Sequence, residues 1–219
     1  MRRYVCQKQP LVMTHAEIEA EAQRRYELHK GQASQKALAP DHDLKGVLGE
    51  VQWADTSGEP MAPPVTHGGG DNGIDGYAWT IHGDFPVDVK AAAIPKNLWV
   101  KQGWAKRGTI YILGQYHDLG PGNRWVELLR WQKGSIVLEA PVINTPGDIL
   151  VNSIPFNDLR EIDELVEVCR FVKDFTMDEV RTELRQHHHA GLAGKPRSER
   201  ISQRIAALWR RVDEDAKKG

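Results

Sequence analysis

Two β-like runs, residues 74–81 and 85–93, flank His82-Gly83-Asp84, and this arrangement constrains the fold more than any other stretch. Apolar runs around a glycine-containing turn read as a hairpin. Strand side chains alternate, so Asp88 and Lys90 share one face while Val87 and Val89 share the other. Taking His82-Gly83 as a two-residue turn pairs Ile81 with Asp84; counting back puts Asp75 opposite Lys90 and diagonal to Asp88. A slip of one residue would send Asp75 to the far face. Asp88 and Lys90 would also suit an exposed hairpin face, and Asp75 between Gly73 and Gly76 would suit a turn. Against this, the second run is otherwise apolar (Val87, Val89, residues 91–93), so its two polar residues interrupt a strand that reads as buried.

Upstream, Leu44, Val47, Leu48 and Val51 recur at helical spacing around Glu50, with Asp43 expected as the helix cap. Gly46 and Gly49 lower helix propensity. Their expected use is a close approach of the helix to the sheet, which brings Glu50 to the hairpin. Clustered carboxylates raise one another's pKa, and a divalent cation compensates them. Oxygen donors without Cys or His select a hard ion, Mg²⁺ or Mn²⁺. Such an ion polarises a phosphoryl oxygen and acidifies a bound water. Lys90 would position that water or offset charge in the transition state. Phosphodiester hydrolysis is the chemistry that these four residues describe together.

Glu50, then Asp75, then Asp88-Val89-Lys90, the last three on a hairpin, resembles the PD-(D/E)XK nuclease superfamily over residues 43–142. Asp75 matches the first acid, Asp88-Val89-Lys90 the D/E-x-K triplet, and Glu50 the acid of the preceding helix. Ile74 stands where the name-giving proline would be, and the Gln-x-x-x-Tyr helix of the exonuclease-like branch is not found. The resemblance implies a restriction-endonuclease-like α/β core. It further implies Asp75, Asp88 and the Val89 backbone carbonyl as ligands of Mg²⁺ (or Mn²⁺), with Glu50 holding a second ion or a metal-bound water.

Other segments supply context. Thr14-His15-Ala16-Glu17 fits a capping box, followed by Ile18, Ala22 and Tyr26 at helical spacing. Residues 55–72 form a Pro- and Gly-rich loop that could touch a nucleic-acid backbone or act as a lid. There His67 and Asp71 fit ordinary loop polarity better than a site, and no Gly-Lys-Ser/Thr makes a P-loop. Residues 94–107 carry Lys96, Lys101, Lys106 and Arg107 without an acid, interleaved with Trp99 and Trp104. That mixture suits phosphate contact and base stacking, the competing reading being core tryptophans beside solvated lysines. Residues 109–114, 125–131 and 135–138 read as strands, the last two around a turn at 132–134. Residues 159–172 read as a helix, and Thr176-Met177-Asp178-Glu179 as a second capping box. His187-His188-His189 cannot converge on one ion from one helix, so a zinc site is set aside. From Ser198, Ile201, Ile205, Leu208 and Val212 line one helix face among arginines. That face suits docking on the core, pairing with a second copy, or support of DNA binding.

The 219-residue chain has a formal net charge of −1, so any nucleic-acid footprint must be local. Two cysteines, Cys6 and Cys169, without motif spacing fit a reducing compartment, and no run reaches signal-peptide or membrane-spanning length. The expectation is a cytoplasmic α/β protein without membrane contact, having a mixed central sheet flanked by helices and extra C-terminal helices. It divides into an N-terminal helical segment (1–39), a nuclease core (40–156) and a helical extension (157–219). The expected function is metal-dependent DNA endonuclease, with homodimerisation left open. The alternative is a nucleic-acid-binding or adaptor protein that keeps the fold without hydrolysis.

Overall fold

The computed structural model describes residues 13–29, 41–59, 61, 73–80 and 83–173. The chain divides into two compact units, Met1–Arg170 and Phe171–Gly219; of the second, only residues 171–173 are described. His67, Asp71, the turn residues 81–82, the second capping box, the histidine run and the arginine-flanked last helix lie outside the described residues.

Helix α1 (His15–His29) opens as its sequence dictates. Thr14 N–H donates to Glu17 Oε2 at 2.7 Å, and Glu17 N–H returns to Thr14 Oγ1 at 3.3 Å. Ile18 and Ala22 are buried, but Tyr26 is exposed and Arg25 takes the next inward position. Helix α2 (His42–Ser57) has Asp41 rather than Asp43 at its N-cap position, without a side-chain capping bond, and ends where Gly58 adopts φ 71°. Leu44, Val47, Leu48 and Val51 of α2 pack with Ile18 and Ala22 of α1, and with Tyr116 and Val126.

The chain then forms strands β1 (Gly76–Thr80), β2 (Gly83–Ala92), β3 (Asn97–Lys101), β4 (Ile110–Asp118) and β5 (Arg124–Lys133). Helix α3 (Gly134–Glu139), strands β6 (Val142–Asn144), β7 (Leu150–Pro155) and β8 (Arg160–Glu161), and helix α4 (Ile162–Lys173) follow. A five-stranded sheet runs β1-β2-β4-β5-β8, and a three-stranded sheet runs β3-β7-β6. Only the β2–β4 pair of the larger sheet is parallel, which makes it mixed. The fold is α/β. Ile110 and Ile112 point to one face of the larger sheet, packing with Val87, Val89, Trp53 and the α4 residues Leu165, Val166 and Cys169. Tyr111 and Leu113 point to the other, against Leu98 and Val100 of β3, Ile154 of β7 and Val137 of α3.

Three further expectations need correction. Residues 135–138 form part of α3 rather than a strand; four apolar residues are too few for periodicity to separate the two forms. Residues 159–172 are not helical throughout, because β8 precedes α4. The hairpin closes one residue earlier than expected, pairing Thr80 with Gly83 instead of Ile81 with Asp84. The register moves by two, so the faces survive but the partners change. Gly76 lies opposite Val87, which sets Asp75 level with Asp88 rather than Lys90.

Candidate active site

Two glycines seat α2 on the hairpin. A Cβ on Gly49 would come within 3.0 Å of Val89 Cγ1, and one on Gly76 within 2.8 Å of Trp53 Cδ1. The Trp53 indole N–H then donates to the Tyr77 carbonyl at 3.0 Å. Gly46, by contrast, faces open space, so close approach explains only one of the two α2 glycines. Glu50, between Gly49 and Val51, is carried to the sheet by this contact and is 2% exposed.

Asp75 sits just before β1, where the regular ladder ends. Its N–H donates to Val87 O at 2.7 Å, and its Oδ2 accepts the Val89 N–H at 2.6 Å. The carboxylate thus supplies an acceptor for β2 beyond the last paired residue of β1. Asp75 is 9% and Asp88 7% exposed. Lys90 Nζ lies 2.6 Å from Asp88 Oδ1, and its side chain keeps 40% of its surface open. Burial first, then the Asp88 and Glu50 carboxylates, push Asp75 well above the ordinary carboxylate range, with Lys90 and the Val89 N–H pulling the other way. Partial burial works against the Lys90 ammonium, but Asp88 and then Asp75 outweigh it and its pKa is raised. The three acids and the amine anticipated from sequence therefore share one electrostatic neighbourhood, with Asp75 feeling all the others.

Glu50 has a partner that the sequence reading missed. The Arg25 guanidinium of α1 grips it through Nη1 to Oε1, and through Nη2 to Oε2 at 2.7 Å. Arg25 Nε also donates to Glu21 Oε1 at 2.9 Å. The Arg24 fork, with Arg25 adding, holds Glu21 down to about 2 against partial burial. Burial disfavours the Arg25 charge, but Glu50 and Glu21 raise its pKa regardless. The available signal was spacing: Ile18, Ala22 and Arg25 continue one helical stripe, and a cation on an apolar stripe needs a buried anion.

Tyr111 was also missed. It lies beside Asp88 in the β2–β4 register, and burial raises its phenol pKa, Asp88 adding to the effect. Its hydroxyl accepts the Lys106 N–H at 2.9 Å and donates to Trp104 O at 3.5 Å. The basic segment is therefore tied to the strand beside the acids. Lys96, Lys101, Lys106 and Arg107 are all exposed, and so are Trp99 and Trp104, which removes the reading of those tryptophans as core.

Oxygen donors under mutual repulsion at Asp75 and Asp88 have the chemistry that a hard cation relieves. Both Glu50 oxygens are taken by Arg25, and the Val89 backbone enters the site through its N–H. Among the described residues no group of three or more His, Cys, Asp or Glu side chains is placed to hold a metal ion. No helix among them is long and apolar enough to cross a membrane. Compared with known proteins, the chain matches no protein-family model, no curated protein and no solved structure, so the site must be read from its own residues.

Proposed function

We propose that this chain is a metal-dependent nuclease of PD-(D/E)XK-like design, a phosphodiester hydrolase acting endonucleolytically on DNA. The observation that carries the reading is the Asp75 carboxyl, bonded to the Val89 N–H and raised by its burial, then by Asp88 and Glu50, with Lys90 on Asp88 opposing. Two buried like charges beside an amine are costly for folding alone, and perturbed groups of this kind concentrate where chemistry is done. Asp75 and Asp88 would hold Mg²⁺ or Mn²⁺, with the Val89 carbonyl as a further oxygen. The ion's contribution is Lewis acidity toward a phosphoryl oxygen and a more acidic water. Lys90, hydrogen-bonded to Asp88 and still open on one side, orients the attacking water and offsets charge building on the phosphorus oxygens. Glu50 adds negative field at Asp75, and ligation by it requires the Arg25 fork to open. The cations of residues 96–107 contact the phosphate backbone.

Incubating the protein with closed-circular, linear and single-stranded DNA, in Mg²⁺ or in EDTA, tests the activity. Cutting of closed circles in Mg²⁺ alone is expected, and Asp88→Ala or Lys90→Ala should abolish it while a cooperative melt shows that the fold is kept. Full activity in either variant would remove the assignment. A second reading is a nucleic-acid-binding adaptor without hydrolysis, favoured by the Arg25 fork on both Glu50 oxygens. Binding in EDTA with no cleavage under any divalent cation would select it.

A further inference from the structure

We infer that the surface built by Trp99, Lys101 and Trp104 takes unpaired bases, so that the nucleic acid entering the site carries a single-stranded segment. The inference rests on the nucleic-acid reading above and narrows its substrate. Alternation in β3 buries Leu98 and Val100, and turns Trp99 and Lys101 outward together. Trp99 is 42% and Trp104 62% exposed, large apolar faces that the core does not use.

The Trp99 ring and the Trp104 backbone are held rather than loose. The Trp99 indole N–H donates to Ser153 Oγ at 3.2 Å, anchoring the ring to β7. The Lys101 ammonium lies 5.2 Å from the Trp104 ring centroid, over one face of the indole. Trp104 N–H donates to Lys101 O at 3.0 Å, closing a turn in which Gly103 takes φ 80°. Past it, the Tyr111 hydroxyl joins Trp104 to Lys106, and Thr109 N–H donates to Lys106 O at 3.2 Å. Lys106 O in turn packs so closely on Gly134 that no Cβ would fit between them. A platform already ordered loses little entropy when a flat ligand lands on it.

The surroundings of the rings select the ligand. Cores of protein–protein interfaces favour Trp but are depleted in Lys. Here the exposed Lys96, Lys101, Lys106 and Arg107 share one segment with the indoles, Lys101 lying over Trp104 itself, and residues 94–107 contain no acid. Aromatic faces alternating with cations match a strand whose bases stack while its phosphates pair with lysines. A duplex hides base faces in its own stack and shows groove edges instead, which are read by hydrogen-bonding side chains. An indole reaches a base face only where that base is unpaired.

The test uses the full chain in EDTA, where binding is separated from cleavage. Fluorescence anisotropy compares a labelled single strand with the same strand annealed to its complement, across a salt series. The single strand should bind about 10-fold tighter or more, and Trp99→Ala or Trp104→Ala should each weaken it about 10- to 100-fold, while Trp104→Phe retains most of it. Lys101→Ala should lower the slope of log affinity against log salt by about one. Both tryptophans are exposed, so an unchanged melt checks that the variants fold. Equal or tighter duplex binding, or indole variants that bind as well as the parent, overturns this inference while Mg²⁺-dependent cleavage would still uphold the nuclease reading. Absence of binding to either oligonucleotide overturns the inference, and the nuclease reading is then decided by Mg²⁺-dependent cleavage alone. Self-association lost in Trp104→Ala, without oligonucleotide binding, assigns the indoles to a protein partner and overturns the inference.

Discussion

The fork between Arg25 and Glu50 joins two buried charges from residues distant in the chain. Taking a carboxylate out of water is expensive, and a guanidinium offering parallel donors is the partner best shaped to compensate it. Removing one member strands the other. Arg25→Met should therefore destabilise the protein by about 3–5 kcal/mol in urea unfolding. Adding Glu50→Leu should recover most of that loss, because the apolar pair no longer holds an orphaned charge. Loss in the double variant equal to the sum of the singles would mean that the fork contributes no coupling. The same pair has a bearing on chemistry. A glutamate gripped at both oxygens adds charge to Asp75 without presenting a lone pair. If hydrolysis needs Glu50 as a donor, its fork must open on the reaction path.

At the scale of elements, the placement of α2 on β2 decides whether the acids meet at all, and its two glycines separate propensity from packing. A Cβ placed on Gly46 would meet nothing within 4 Å, so Gly46→Ala should stabilise by about 0.5–1 kcal/mol through helix propensity alone. Gly49 lies against Val89, so Gly49→Val should overpack the contact and cost about 1–3 kcal/mol. Denaturant midpoints of the two variants moving in the same direction would contradict this division. What the sequence made legible follows a matching line. The capping box at Thr14 and the shared face of Asp88 and Lys90 are local, and local geometry is written in spacing. The partner of Arg25 was hidden because it comes from another helix, and tracing the stripe through Tyr26 followed apolarity rather than angle. The shift of register at Thr80–Gly83 turned on which two residues make the turn, a choice that several dipeptides there permit. The second sheet went unseen because β6 and β7 are short and flanked by polar turns, and because β3 lies in a segment read for its charge.

Across the whole molecule, the acid cluster opposes folding and a cation should reverse that. Asp75 has a folded pKa above its ordinary value of 3.8. Between those two values the native state holds a proton that the unfolded chain has lost, so stability falls as pH rises through the window. Above it, the native state carries the full repulsion of Asp75 with Asp88 and Glu50. Asp75→Asn removes that term, while an amide oxygen can still accept the Val89 N–H. The variant should melt higher than the parent at neutral pH, and the difference should shrink toward acid. A divalent cation bound only by the native state acts oppositely on the parent, adding about 2.7 kcal/mol at a hundredfold excess over its Kd. For a chain of this size that corresponds to a rise in Tm of roughly 5–10 °C. Melting followed by tryptophan fluorescence, to which the buried Trp53 and Trp131 contribute, reads both effects together. Mg²⁺ should lift the parent and leave Asp75→Asn unmoved, the lift growing with pH as Asp75 ionises. An equal shift in both proteins, or none in the parent, would take the cation away from this pair of aspartates.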